Sequence, residues 1–334
     1  MLILGIESSC DDAAAAVIET AHPGRARVLS STVANQDDIH RAYGGIVPEL
    51  ASRNHVITIL PVIERALETA GHALSDIDGI AVTRGPGLVG SLLVGLMCAK
   101  GIAHSLGRPM VGVNHIEGHL LAPMLEHELA MPYLALVVSG GHTALFVVED
   151  FGRYCRLGST RDDAAGEAFD KVAKLMGLGY PGGKVIDELS RTGNRKGVRI
   201  PRARIKGAPM DFSFSGVKTA VAAWLASEMG ATTESADLAA SFQEAVVDML
   251  IRTTMEAARA TGAETVALTG GVAANSRLRT RLAEALESEG RRLVAPSLKY
   301  CTDNAAMIAI AGSYRLLRGE ADSLDIDAQA NLAL

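Results

Sequence analysis

Residues 133–148, Y-L-A-L-V-V-S-G-G-H-T-A-L-F-V-V, read as two apolar strands joined by a tight glycine turn. The same pattern stands near the start of the chain. There L-I-L-G-I-E (2–7) is a buried strand, S-S-C-D-D a turn, and Ala13–Ile18 a returning strand. Two such hairpins about 130 residues apart predict a duplicated architecture. After each hairpin the pattern turns helical. Helices are expected over 49–70 and 91–106, and Leu238, Phe242, Val246 and Leu250 mark the core face of one over 237–260. Thr265–Leu268 then reads as a strand, Gly270-Gly271 as a turn and Asn275–Glu287 as a helix. Strands alternating with helices in both halves predict an α/β fold.

Composition agrees. The chain has 334 residues, 48% hydrophobic but only 4% aromatic, so its core is aliphatic and a length of about two domains is expected. The uncharged run Gly85–Ala99 contains Ser91 and four glycines, and is expected to be too short to cross a bilayer. The opening M-L-I-L-G-I-E-S-S-C-D-D turns acidic at once and does not read as a signal peptide. Cys10, Cys98, Cys155 and Cys301 are scattered without a C-x-x-C, as suits free thiols in a reducing compartment.

The run V-N-H-I-E-G-H-L-L-A-P (113–123) places His115 and His119 four positions apart. Four helical residues turn the chain through roughly 400°, so both imidazoles leave one face, one turn apart. That spacing suits two nitrogen ligands of one metal ion, although solvated histidines also occur at it. Glu117 falls roughly 200° away from His115. A zinc protease of the H-E-x-x-H kind needs its glutamate directly after the first histidine, and H-x-E-x-H argues against that mechanism.

Two further patterns suggest ligands. From Arg191 to Lys206 there are seven basic residues (Arg191, Arg195, Lys196, Arg199, Arg202, Arg204, Lys206) and no acid, in a chain of net charge −6. Such a segment is either a phosphate-binding strip or a solvated loop. Glycine turns at R-G-P-G-L-V-G-S (84–91), S-G-G-H (139–142), G-Y-P-G-G-K (179–184) and T-G-G-V-A-A-N-S (269–276) present N–H groups suited to a nucleotide between two lobes. Beside them stand Asp11, Asp12, Glu167, Asp170 and Asp187, which are ligand contacts or ordinary helix caps and lysine partners.

The runs G-I-E-S-S-C-D-D, Y-G-G-I-V-P-E-L-A-S-R, G-P-G-L-V-G-S-L-L-V-G, N-H-I-E-G-H-L-L-A-P, V-S-G-G-H-T, D-D-A-A-G-E-A-F-D-K, Y-P-G-G, F-S-F-S-G-V-K-T-A, G-G-V-A-A-N-S-R-L-R and C-T-D-N-A-A-M-I-A occur in this order, in a likeness that covers residues 2 to about 313. Together they resemble the bacterial TsaD-type tRNA N6-adenosine threonylcarbamoyltransferases, relatives of the archaeal and eukaryotic Kae-type proteins. The resemblance implies the two-lobed actin-like ATPase fold of sugar kinases and chaperone ATPases. It implies an N-terminal lobe over 1–130, joined by a C-terminal helix at about 304–334, and a C-terminal lobe over 131–303.

The implied reaction moves the threonylcarbamoyl group of threonylcarbamoyl-AMP to N6 of the adenosine 3′ of the anticodon, in tRNAs reading codons that start with A. Carried over by motif, His115, His119 and Asp303 would hold one divalent metal, Fe(II) or Zn(II). Val137, Val138, Ser139, Gly140, Gly141, Asp170, Gly183, Asp187 and Asn275 would bind the adenylate. Asp11 and Asp12 are candidates to accept the N6 proton, and the basic segment to bind tRNA. Gly140 and Gly141 are expected to form a turn whose backbone approaches the ligand closely, where a Cβ at Gly141 would obstruct the ligand, strain a turn of positive φ, or both, and Asn275 to serve either the adenosine or the helix N-terminus. Family partners would be a catalytically silent TsaB-like paralogue on the N-terminal lobe and a TsaE-like ATPase, in the cytoplasm and without a membrane. Ala13 and Ala144 replace a threonine and a glutamine common in the family, which touches fine positioning. An ATP-binding actin-like regulatory module and a metallopeptidase are the competing readings.

Overall fold

A computed structural model describes all 334 residues, which form two compact units: Met1–Leu129 with Pro296–Leu334, and Ala130–Ala295. In the first unit, β1 (Leu2–Glu7), β2 (Ala13–His22) and β3 (Arg25–Ala34) are followed by α1 (Asp37–Arg41), α2 (Pro48–Ala70), β4 (Gly79–Gly85), α3 (Val89–Leu106), β5 (Met110–Asn114) and α4 (His115–Leu121). The second unit runs β6 (Tyr133–Val138), β7 (Thr143–Asp150), β8 (Arg153–Ser159), α5 (Ala165–Leu175), α6 (Gly182–Leu189) and α7 (Ser215–Leu225). It continues through α8 (Ser235–Thr261), β9 (Thr265–Thr269), α9 (Ser276–Glu287) and β10 (Arg292–Val294), and the chain returns to the first unit with α10 (Ala305–Leu317).

The strand orders are β3-β2-β1-β4-β5 and β10-β9-β6-β7-β8. Each sheet is an antiparallel three-strand meander whose first strand pairs in parallel with the fourth, and the fourth in parallel with the fifth. The duplication extends from the hairpins to the whole sheets.

Strand β1 is buried at every position because the first sheet is covered on both faces. Leu4 and Ile6 join Ile59, Val62, Ile63, Leu96 and Ala99 of α2 and α3 in one core. On the opposite face Gly5 lies against α10, and a Cβ there would collide with the Ala305 carbonyl. Residues 296–303, expected from sequence in the second lobe, pack with the first unit, since α10 must reach this sheet to cover it. Asp303 travels with them.

Helix α3 ends at Leu106 as expected and begins two residues earlier, at Val89; its 18 residues, with a mean hydropathy of 1.5, outrun the fifteen-residue uncharged stretch expected to be too short to cross a bilayer. That is long and apolar enough to span a bilayer by length and composition alone. Leu92, Leu96, Ala99 and Ile102 nevertheless bury one face of it in the core. In the second unit Phe169 of α5 meets Phe242 of α8 edge to face at 5.2 Å. The four cysteines are free thiols.

Candidate active site

Strand β5 ends at Asn114, whose Oδ1 accepts the Ile116 N–H at 2.9 Å and starts α4 at once. His115 and His119 therefore leave a rigid strand-to-helix junction, their ring centroids 4.7 Å apart and nearly perpendicular. Asp303 stands just before α10, where Asn304 caps the helix through Met307 N–H. Its Oδ1 lies 3.2 Å from His119 Nε2 and 3.6 Å from His115 Nε2. The three donor atoms lie within 4.8 Å of one another. His119 is fully buried, yet neither ring nitrogen makes a hydrogen bond. A buried imidazole without a hydrogen bond is costly, and a cation between it and the Asp303 carboxylate would satisfy it. The donor set of two nitrogens and a carboxylate fits iron or zinc better than magnesium.

Behind His115 lies a residue that motif reading missed. Glu7, at the end of β1 and fully buried, sets its Oε2 3.0 Å from His115 Nδ1. It also accepts Thr83 Oγ1 at 2.7 Å and the Ser9 N–H at 2.5 Å, while Ser9 Oγ lies 3.1 Å from the same His115 nitrogen. Burial pushes the Glu7 carboxyl up, but the charge and hydrogen bond of His115 bring it below its ordinary value. Burial likewise pushes His115 down, and the carboxylates of Glu7 and Asp303 outweigh it, raising the imidazole to about 9. A proton kept on Nδ1 by Glu7 leaves Nε2 facing Asp303 as the donor. The sequence signal was a lone acid closing an otherwise apolar strand.

Asp11 and Asp12 occupy the β1–β2 turn. Burial raises both carboxyls, and for Asp12 the charges of Asp11 and Asp303 add to it and bring the group to about 8. Its Oδ1 is buried without a hydrogen bond. Glu117 points elsewhere and accepts from Tyr314 Oη of α10 at 3.2 Å, so the glutamate of H-x-E-x-H is held by a structural contact.

The residues expected to hold the adenylate all lie in the second unit. In the β6–β7 turn, Ser139 N–H donates to His142 O at 2.7 Å, and the carbonyls of Ser139 and Gly140 accept the N–H groups of Gly166 and Glu167 at the start of α5. Gly140 and Gly141 have no positive φ, and a Cβ on either would meet open space, which corrects the expected strain. The crowded glycines are their neighbours. Gly270 has φ +96°, a Cβ on it would collide with Val138 O, and one on Gly166 would stand 2.6 Å from Ser139 O. Asp170 accepts the Gly182 N–H at 2.8 Å, and Gly183 beside it is open. Asp187 accepts Ser276 Oγ at 2.9 Å. Asn275 caps α9 through Leu278 N–H and donates to Gln243 Oε1 at 2.7 Å. A cavity of about 170 Å³ adjoins this group, lined in part by Ser190, Gln243, Ser276 and Arg277.

The basic segment is an exposed irregular loop, and its charge is smaller than its composition suggested. Arg202 pairs with Asp248 and Arg204 with Glu256, both at 2.8 Å, and Arg191 reaches Asp187 at 3.7 Å. Arg195, Lys196, Arg199 and Lys206 make no ion pair.

Residues 27–310 match the family described as TsaD, tRNA N6-adenosine threonylcarbamoyltransferase. The chain is 52% identical to the enzyme of that name from Syntrophotalea carbinolica over 336 aligned positions, covering 100% of this chain and 97% of the relative. It is 54% identical to that of Anaeromyxobacter dehalogenans, covering 98% and 97%. Among solved structures it is similar to component A of (R)-2-hydroxyglutaryl-CoA dehydratase from Acidaminococcus fermentans, with a TM-score of 0.56, 16% identity and coverage of 95% and 99%. That likeness concerns the fold, an actin-like ATPase architecture consistent with the two matching sheets.

Proposed function

Because the chain belongs to the tRNA N6-adenosine threonylcarbamoyltransferase family, we propose that it transfers the threonylcarbamoyl group of threonylcarbamoyl-AMP to N6 of the adenosine 3′ of the anticodon, in tRNAs reading codons that start with A. The observation that carries this reading is the convergence of His115, His119 and Asp303. A C–N bond forms between the carbamoyl carbon and N6, the bond from that carbon to the phosphate oxygen breaks, and AMP and a proton leave. The three residues would hold iron(II) or zinc(II), which when bound supplies Lewis acidity toward the threonylcarbamoyl group and a fixed point for orienting it.

Each remaining role falls to groups of this chain. The 137–141 turn, Asp170, Gly183 and Asp187 hold the adenylate, with Asn275 shaping the pocket by capping α9. Backbone N–H groups of the open 140–141 turn receive the phosphate as charge moves onto it. Asp11 or Asp12 takes the N6 proton; a buried carboxyl near 8 is matched to that task at neutral pH. Arg195, Lys196, Arg199 and Lys206 lead the contact with tRNA, with Arg191, Arg202 and Arg204 behind them.

The two units are proposed as the two lobes of a cytoplasmic enzyme that works with a TsaB-like paralogue and a TsaE-like ATPase. Supporting a protein partner on the first, Val56, Leu60 and Met97 of α2 and α3 line an exposed apolar groove. The position of Glu117 disfavours peptide hydrolysis, and the histidine pair disfavours a plain ATP-binding module. Mass spectrometry of tRNA nucleosides, after incubation with threonylcarbamoyl-AMP and the partners, tests the whole. Absence of threonylcarbamoyladenosine under conditions where a characterised relative forms it would refute the reading.

A further inference from the structure

The segment after α10 crosses the ends of β4 and β5 that lead into the site. Asp322 pins it upstream, accepting Gly112 N–H and pairing with Arg315, each at 2.7 Å. Beyond it, Gln329 N–H donates to Arg84 O at 2.8 Å and Ala330 O accepts the Gly87 N–H at 3.1 Å. The carbonyls of Leu332 and Ala333 accept from Asn114 Nδ2 at 3.3 and 3.2 Å. Apart from Leu332, residues 329–334 are exposed. They bury little apolar surface, and hydrogen bonds account for their course.

Two of those ties end at His115. One amide does two jobs at Asn114: its Oδ1 caps α4 through Ile116, and its Nδ2 is held by the segment. On the other side, Ala330 holds Gly87, and the next residue, Leu88, donates its N–H to Ser9 O at 2.7 Å. The packing is tight, since a Cβ on Gly87 would collide with that carbonyl. Ser9 in turn places its hydroxyl 3.1 Å from His115 Nδ1. Ordinary capping does not explain the asparagine. Serine caps a helix as well, but lacks two N–H donors to reach a neighbouring chain segment.

We propose that residues 329–334 are a positioning strap for the metal-ligand helix: by holding Asn114 and the Gly87–Leu88 turn, they fix the start of α4 and the aim of the His115 and His119 imidazoles. The inference rests on the metal reading of these histidines, and the strap can be tested apart from it.

The test compares the intact chain, a deletion of 329–334, Asn114→Ser, and the two changes combined. The dissociation constant for Zn(II) alone and, in metal-free protein, hydrogen exchange at the Ile116 amide are measured beside melting curves. Outer-shell contacts of this kind typically change metal affinity by about tenfold or more. Deletion and Asn114→Ser should each weaken Zn(II) binding by about that factor and speed Ile116 exchange. The combined variant should be no worse than the deletion, since both remove one contact. Zn(II) affinity and Ile116 exchange within twofold of the intact chain, in a folded Asn114→Ser protein, would overturn the proposal. Should the deletion not fold, Asn114→Ser decides alone. Should the intact chain bind no Zn(II) or Fe(II), the metal reading fails and Ile116 exchange still decides the strap.

Discussion

Glu7 Oε2 and His115 Nδ1 lie 3.0 Å apart with both side chains buried, joining the end of β1 to the start of α4. Carboxylate, imidazole and Asp303 form one line of charge. A buried pair of this kind is weak evidence for stability, because desolvation opposes the attraction. It is better explained as a device that fixes which nitrogen of His115 is offered.

Glu7→Gln should therefore lower metal affinity about 10–100-fold, the usual range for outer-shell partners, with a smaller effect on melting of the metal-free protein. In metal-free wild type, His115 near 9 keeps a proton at pH 7.5 that a metal on Nε2 must displace. Titration calorimetry in buffers of different ionisation enthalpy should show about one proton released on metal uptake, and less for Glu7→Gln. The sign for stability follows from a folded value raised above 6.5: metal-free protein keeps this contribution below about 6.5 and loses it as pH rises through 9. Equal proton release by the two proteins would remove Glu7 from the account.

The parts of this centre differ in how legible they were in sequence. His115 and His119 declare themselves because helical period is local. Asp303 came only through family resemblance, since its place depends on how α10 packs over Gly5 of β1. Glu7 was hidden for the same reason: an acid ending a buried strand acquires meaning from Thr83 and His115, both on other elements. The hairpins revealed the duplication because apolar runs and turn residues are local, whereas the strand order of each sheet depends on long-range pairing and was not legible. Counting charge along Arg191–Lys206 overstated the strip, because Asp248 and Glu256 reach it from α8.

Asp12 gives a pH dependence of the same sign over a lower range. Its carboxyl is near 8 in the fold against 3.8 as its ordinary value, so the folded protein binds more protons than the unfolded chain between those limits. Stability of the metal-free protein should fall across about pH 4–8 from this group. Asp12→Asn should remove that slope and raise the melting temperature more at pH 8.5 than at pH 4.5. If Asp12 takes the N6 proton, the same variant loses turnover while gaining stability. Melting curves that stay parallel to wild type across this range would contradict the burial argument.

For the basic loop, the ion pairs decide which variants are informative. Arg202→Ala and Arg204→Ala leave Asp248 and Glu256 without those partners, and so mix a local effect with any loss of binding. Changing Arg195, Lys196, Arg199 and Lys206 to Ala removes only positive charge. Each lost phosphate contact should flatten the log K against log salt slope by roughly 0.7–0.9 for tRNA, leaving affinity for an adenylate mimic unchanged. An unaltered salt slope in the quadruple variant would place the tRNA elsewhere.

The glycine turns of the second unit separate ligand contact from fold. Gly270 has φ +96° and no room for a Cβ beside Val138 O, so Gly270→Ala should cost stability by about 1–3 kcal/mol whether or not a nucleotide binds there. Gly141 has neither constraint: its φ is ordinary and the space around it is open. Alanine there should leave the melting temperature of the ligand-free protein close to wild type. That space is where an adenylate phosphate is proposed to approach the backbone, so the added methyl should raise the dissociation constant of a non-hydrolysable threonylcarbamoyl-adenylate mimic at least about tenfold, on the order of 1.4 kcal/mol. Asn275→Ala makes the third comparison. It removes the α9 cap and the bond to Gln243, so about 0.5–2 kcal/mol of stability should go, with mimic affinity reduced less than in Gly141→Ala. Calorimetric titration beside thermal melts reads both quantities on each variant. Wild-type affinity in a stable Gly141→Ala protein would move the phosphate away from the β6–β7 turn, and the adenylate assignment of residues 137–141 would fall with it.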